Sequence, residues 1–331
     1  MLLRIDHETK LTYSEPVSET VFEVRMAPVS TEDQTVLGYR LRITPPTSVI
    51  GFRDGFGNRV DLFNIFTPHQ EVVVKAVSYV RVHRRPGPPR LAEVEWPGEE
   101  PAAIEALDYL QPSPLVDRSA ALDEFLKDLP KPRASLGQTL DMLIECVSHR
   151  LKYEKTVTTA RTPLSEALDL GRGVCQDIAH LLLGACRALN WPARYVSGYV
   201  NQPGEIATHA WCQVWGGANV GWVDIDPTHG KYAGNDHVVT AVGRDYFDVP
   251  PNRGVWKGLA EETIHVAVKV DPVDRMPVDW SQTSVPTPWA GSFTYPLRRV
   301  SPSNNLNHQA RPGILRQQQG QQQQNGPLRP M

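Results

Sequence analysis

Cys175, His209 and Asp226 stand in three short segments: GRGVCQDIAHLLLGACRALN (171–190), ATHAWCQVW (207–215) and GWVDIDPTHG (221–230). The first reads as a Gly-rich loop entering a helix whose Ile178, Leu181, Leu182, Ala185 and Leu189 form one apolar stripe. Cys175 falls in the first turn, where the positive end of the helix dipole and unpaired backbone N–H groups favour a thiolate. His209 follows 34 residues later on a strand-like run, placed to approach from across a cleft as a base. Asp226 can hold the imidazole in one tautomer, as a third group does in triads generally. Nucleophile, base and orienting acid make up the equipment of acyl transfer. The backbone N–H of Cys175 is the natural first donor to an oxyanion; Gln138 is a weak candidate for the second and reads more readily as a helix-surface residue.

Each residue has a simpler reading. A cysteine on an apolar stripe often behaves as a small buried hydrophobe, and Cys146, Cys186 and Cys212 read that way. A histidine beside tryptophans can be a packed, hydrogen-bonded residue. His180 and His229 compete with His209, but His180 lies about 140° around the helix from Cys175, and His229 follows Asp226 in a turn. Asp224 shares a face with Asp226 if 222–226 is extended; it either raises the pKa of His209 or faces solvent. The angular separation of Cys175 and His180 also argues against a zinc site within that helix.

The elements that must position these residues are legible in outline. Residues 1–95 read as an antiparallel β domain. Leu37, Tyr39, Leu41 and Ile43 alternate with other residues, VVVKAVSYVRV (72–82) is β-branched and aromatic, and FRDGFGNRVDLF (52–63) signals a tight hairpin. Residues 96–133 form a connector in which RSAALDEFLKDL (118–129) is a short amphipathic helix. SLGQTLDMLIECVSHRL (135–151) is a second helix, with Leu140, Leu143, Ile144 and Val147 on its apolar face. Residues 134–270 read as helices first and strands after, ending on TIHVAVKV (263–270) as a last strand. Residues 271–331 form an irregular tail. Its Gln-rich end, 301–331, is expected to be disordered because it has too little apolar area to offset chain entropy. At 331 residues, 40% hydrophobic and with a formal net charge of −3, the chain resembles a soluble two-domain protein. Nothing in that balance points to nucleic acid or an anionic membrane as partner. No run of about 20 apolar residues predicts a membrane span, and the opening residues lack a secretory signal. A cytoplasmic protein is expected, with reduced thiols rather than disulfides.

The words GVCQD, THAW and IDPT-G, in that order, resemble the bacterial transglutaminase-like family of papain-like cysteine enzymes. The stretches TPLSEALDLGRG (162–173) and AVGRDYFDVPPNRGVWKG (241–258) add to the likeness. The resemblance implies an α+β fold, with an N-terminal antiparallel β domain preceding a papain-like transglutaminase core. It also implies Cys175, His209 and Asp226 as catalytic residues acting on amide or peptide bonds through a thioester. Arg244, Asp245 and Tyr246 match a family stretch and are expected to serve as a structural clamp. Transfer to an amine and hydrolysis use the same residues, so acyltransferase and cysteine peptidase or amidase both stand, beside a non-catalytic interaction module that keeps the fold. A protein or peptide substrate is implied. Neither metal nor other cofactor is expected: no EF-hand-like acidic loop, phosphate-binding loop or dinucleotide fingerprint occurs. If Cys175 is the nucleophile, it will label with iodoacetamide faster than Cys146, Cys186 and Cys212 well below about pH 8.5, the ordinary thiol range. His209→Ala will remove the difference; peptide mass mapping reads both.

Overall fold

Side-chain alternation drives the first third of the chain into strands. The computed structural model describes residues 1–84, 91, 94, 104–131, 135–202, 208–278 and 280. The Gln-rich end and most of HRRPGPPR (83–90) lie outside them. In β1 (Leu2–Val17) every second residue from Leu3 to Tyr13 is buried, the period of a half-buried strand. β2 (Glu19–Val24), β3 (Gln34–Thr44), β4 (Val49–Arg53), β5 (Arg59–Ile65) and β6 (His69–Val82) follow. The predicted hairpin joins β4 to β5. Its turn is closed by Asp54 Oδ1, which accepts from the N–H groups of Phe56 and Asn58, both at 3.0 Å. Gly57 there takes φ 81°, a conformation that favours glycine. In β3, Tyr39 and Ile43 are buried as the alternation predicts, whereas Leu37 sits in a bulge that interrupts it.

The helices come next. α1 (Ala120–Lys127) and α2 (Leu136–Arg150) begin at Ser119 and Ser135, whose side chains accept from the N–H groups of Leu122 and Gln138. After β7 (Lys152–Tyr153), α3 (Leu164–Leu170) stops at Gly171, left-handed at φ 66°. The chain then passes through β8 (Arg172–Gly173) into α4 (Cys175–Ala188). Every residue of α4 from Cys175 to Arg187 is buried, so this helix lies at the centre rather than on the surface.

Five antiparallel strands carry the remaining candidates: β9 (Ala193–Val200), β10 (Thr208–Trp215), β11 (Trp222–Asp226), β12 (Lys231–Tyr232) and β13 (His237–Gly243), in spatial order β12-β11-β10-β9-β13. Helix α4 packs on this sheet, its Leu182 and Ala185 sharing one core with Ala210, Cys212, Val214, Val223 and Ile225. The architecture is α+β, as expected. The chain then returns to its beginning: β14 (Asn252–Lys257) pairs with β2, and β15 (Glu262–Pro272) pairs with β1. The strand read at 263–270 therefore completes the N-terminal sheets, ordered β15-β1-β6-β3 and β14-β2-β5-β4. Leu11, Phe22, Phe63 and Val74 are among the side chains buried in the core that these strands share. Among the described residues no helix is long and apolar enough to cross a membrane.

Two side-chain amides join the β domain to the five-stranded sheet. Gln34 donates from Nε2 to the carbonyl of Val239 (2.8 Å) and accepts on Oε1 from the N–H of Val239 (2.9 Å). Asn58 makes the same pair with Val242, both bonds at 2.8 Å. β13 is the last strand of its sheet, and these amides take the place a further strand would occupy. Both are buried, so truncating Asn58 strands the N–H and carbonyl of Val242 away from water, and truncating Gln34 strands the N–H of Val239, whose carbonyl also accepts from the N–H of Val29 at 3.3 Å. Gln34→Ala and Asn58→Ala should each lower stability by about 1–3 kcal/mol, read as a fall in the urea midpoint.

Candidate active site

The approach to α4 is shaped by one carboxylate. Asp177 Oδ2 accepts from the N–H of Val174 (2.8 Å) and from the hydroxyl of Thr158 (2.7 Å). It thereby caps the helix from its third position and pins the preceding loop. A Cβ at Gly173 would lie 2.5 Å from that same oxygen, so only glycine fits there. Burial pushes the Asp177 carboxyl up to about 6 against these hydrogen bonds. The result fixes Cys175 as the first residue of the helix, 4% exposed.

β10 brings His209 to it. The strand's register sets His209 opposite Gly198 of β9. A Cβ at Gly198 would lie 2.2 Å from the Val238 carbonyl and 2.4 Å from the Trp211 ring, so glycine lets Trp211 lie flat on β9. The Trp211 ring in turn stacks beside His209, with centroids 6.1 Å apart. Asp226, the last residue of β11, completes the group: its Oδ2 lies 2.9 Å from His209 Nε2. Nδ1 is then the nitrogen left open, and Cys175 is the second group that favours charge on the ring. Burial opposes charge on His209, but the hydrogen bonds and charges of Asp226 and Cys175 override it and raise the imidazole to about 9.

Asp226 carries more than His209. The same Oδ2 receives His229 Nδ1 at 2.5 Å and His237 Nε2 at 3.0 Å, while Oδ1 accepts from the backbone N–H groups of Thr228 (3.1 Å) and His229 (3.3 Å). Burial would raise this carboxyl, and the three imidazoles instead hold it far below the usual carboxylate range. His229, a rival of His209 in the sequence, is thus a partner of the same aspartate.

Other sequence candidates are placed elsewhere. Asp224 does not face solvent, correcting one of its two expected readings. It is 4% exposed, its Oδ1 accepts from Trp211 Nε1 (2.6 Å) and Gln213 Nε2 (2.9 Å), and Arg84 approaches its Oδ2 at 3.5 Å. His180 packs against Tyr195, accepts from the N–H of Tyr246 (3.3 Å) and is pushed down to about 4 by burial. Gln138 is exposed in the first turn of α2. Asp245 accepts from the N–H of Leu115 at 2.8 Å, and the Arg244 carbonyl accepts from buried Arg187. Both contacts are structural ties, in line with the clamp expected of that stretch. Sequence reasoning passed over His237 and Asp236. The Asn-Asp-His run before a β-branched strand was the available signal. His209, Asp226 and His229 present one ligand atom each within 4.8 Å of one another. Their mutual hydrogen bonds already require that spacing, and no ligand role is assigned to them.

This geometry can be set beside known proteins. The profile of the bacterial transglutaminase-like N-terminal region matches residues 3–81, and that of the transglutaminase-like superfamily matches residues 125–227. An uncharacterized protein of Mycobacterium leprae is 31% identical over 281 residues, covering 81% of this chain and 98% of its own length. One from Mycobacterium tuberculosis is 32% identical over 298 residues, covering 82% and 93%. A crystal structure of a candidate cysteine protease from Cytophaga hutchinsonii superposes with a TM-score of 0.68 at 22% identity, covering 84% of this chain and 93% of the other. The chain belongs to the bacterial transglutaminase-like family, and its core has the papain-like fold.

The buried charges link stability to pH. His209, raised to about 9, contributes stability that is fully present below its ordinary 6.5 and lost as pH climbs through about 9. Asp226, lowered, contributes stability present above its ordinary 3.8 and lost on acidification below that value. Denaturant midpoints should therefore fall between pH 6.5 and 9. Asp226→Asn should lower the midpoint at pH 6.5 and flatten that decline, because the raised proton affinity of His209 depends on the carboxylate.

Proposed function

We propose that this protein is a cysteine-dependent enzyme acting on amide or peptide bonds, with Cys175 as nucleophile, His209 as acid and base, and Asp226 as the residue that orients His209. The observation that carries this reading is that buried Asp226 binds Nε2 of His209 at 2.9 Å, which leaves Nδ1 free to serve the sulfur of Cys175 at the start of α4. Family membership and the cysteine-protease description of the Cytophaga hutchinsonii protein support it.

The steps follow from that arrangement. His209 takes the thiol proton as Sγ attacks the carbonyl carbon to give a tetrahedral oxyanion, toward which the Cys175 backbone N–H donates. His209 then passes its proton to the departing nitrogen as the C–N bond breaks, leaving a thioester on Cys175. Water or a primary amine next attacks the thioester carbonyl, and His209 removes its proton. Collapse of this second tetrahedral species expels the thiolate, which regains its partner when the proton is shared again with the imidazole. Acceptor choice depends on how well the cleft excludes water. Gln176 Nε2, Thr208 Oγ1 and Thr228 Oγ1, each one or two positions from one of the three residues, are buried polar atoms without a hydrogen-bond partner among the described residues. Such atoms are suited to receive a polar substrate backbone.

Incubation with glutamine-containing peptides, with and without a primary amine, followed by mass spectrometry, distinguishes cleavage, deamidation and amine addition. One of these products is expected, together with a peptide adduct on Cys175. Cys175→Ala and His209→Ala should each lower turnover by about three orders of magnitude or more. Turnover that survives Cys175→Ala would remove Cys175 as nucleophile, and no product from a broad peptide panel would favour the interaction-module reading.

A further inference from the structure

His237 opens β13, fully buried, and both of its ring nitrogens face carboxylates. Nδ1 lies 2.8 Å from Asp236 Oδ1 and Nε2 lies 3.0 Å from Asp226 Oδ2. An ionised carboxylate only accepts hydrogen bonds, so both nitrogens must carry protons and the ring is an imidazolium. The N–H of Gly234 also approaches Nδ1, at 3.4 Å, but the shorter contact to Asp236 takes the proton. Lys231 of β12 reaches Asp236 Oδ2 at 3.1 Å and helps keep that carboxyl ionised. Burial lowers the proton affinity of His237, and the hydrogen bonds to Asp226 and Asp236 more than restore it.

Among the described residues the other charged groups around the ring are few. His209 of β10 lies with its ring centroid 6.1 Å away. His229 shares Asp226. Arg84, just beyond β6, donates to the carbonyls of Gly234 (2.7 Å) and His237 (3.3 Å), and its N–H donates to Asn235 Oδ1 at 2.8 Å. Through Arg84 the β domain grips the turn that carries Asp236 and His237. Asp224 faces Arg84 rather than His237.

Asp226 does not need His237 to stay in place. Two backbone N–H groups hold Oδ1 and His229 holds Oδ2. What His237 adds is a fixed positive charge on the oxygen that also binds His209. A lone buried aspartate would hold an imidazolium so firmly that it becomes a poor acid toward a leaving amine. We propose that His237 is a positioning residue that competes with His209 for Oδ2 of Asp226, and that this competition keeps His209 able to release its proton to the leaving group. The inference rests on His209 being the acid and base.

NMR titration of the full chain tests it, with the His209 ring signal identified by its absence in His209→Ala. His237→Gln keeps a hydrogen-bond donor and drops the charge, and the His209 midpoint should rise by about one pH unit. Asp236→Asn, in a partly exposed turn, leaves His237 one carboxylate instead of two to hold its second proton. The midpoint should then rise less, in the same direction, and this variant also serves if His237→Gln does not fold. A raised wild-type midpoint that stays put or falls in the variants would overturn the role of His237. A wild-type midpoint near 6.5 would instead overturn the charged state of His209 on which the inference rests, and the inference with it.

Discussion

Oδ2 of Asp226 is the point on which the candidate site hangs. Three imidazoles converge on one buried carboxylate oxygen, which is affordable only because the charge is divided among several donors. A buried carboxylate without them would be protonated, would lose its grip on His209, and would leave polar groups unsatisfied at considerable cost. Two nearby features meet that demand: the tight turn after β11 that returns two backbone N–H groups to Oδ1, and the placement of β13 so that its first residue reaches Oδ2.

That demand also explains how the two halves of the chain are joined. β13 must be held firmly if His237 is to meet Asp226, and β13 is an edge strand. The β domain supplies the missing neighbour with two side-chain amides, Gln34 and Asn58, each making a donor–acceptor pair with a single residue of β13. Arg84 fastens the turn just before it. β14 and β15 lead the chain back into the N-terminal sheets. The β domain is thus a scaffold for one edge of the candidate site as well as a separate core.

Electrostatic asymmetry separates groups that look alike in sequence. His180 and His209 are both buried, yet His180 is pushed down to about 4 by burial, while His209, facing Asp226 and Cys175, is raised to about 9. Asp224 and Asp226 lie two residues apart on one strand face. Asp224 is bound by Trp211, Gln213 and Arg84, whereas Asp226 is bound by imidazoles. The chemistry each group can do is set by its partners, not by its type.

Much was legible in the residues alone because the signals were local. Apolar periodicity placed α1 and α2, the Asp-Gly and Gly-Asn pairs placed the β4–β5 hairpin, alternation marked β3 as a strand, and β-branched and aromatic residues marked β6. The segments around His209 and Asp226 named an imidazole and a carboxylate that pair, and with the one around Cys175 they named the family. The bulge at Leu37 escaped the alternation because it depends on pairing with β6. Only the tertiary structure decided that His229 joins the aspartate rather than competing with His209, that His237 reaches it from another strand, and that Asp224 is buried beneath Arg84. It also decided that the final strands belong to the N-terminal sheets. Capping and periodicity are written within a few residues of one another; which strands lie side by side depends on contacts between distant parts of the chain, and no short stretch of sequence contains them.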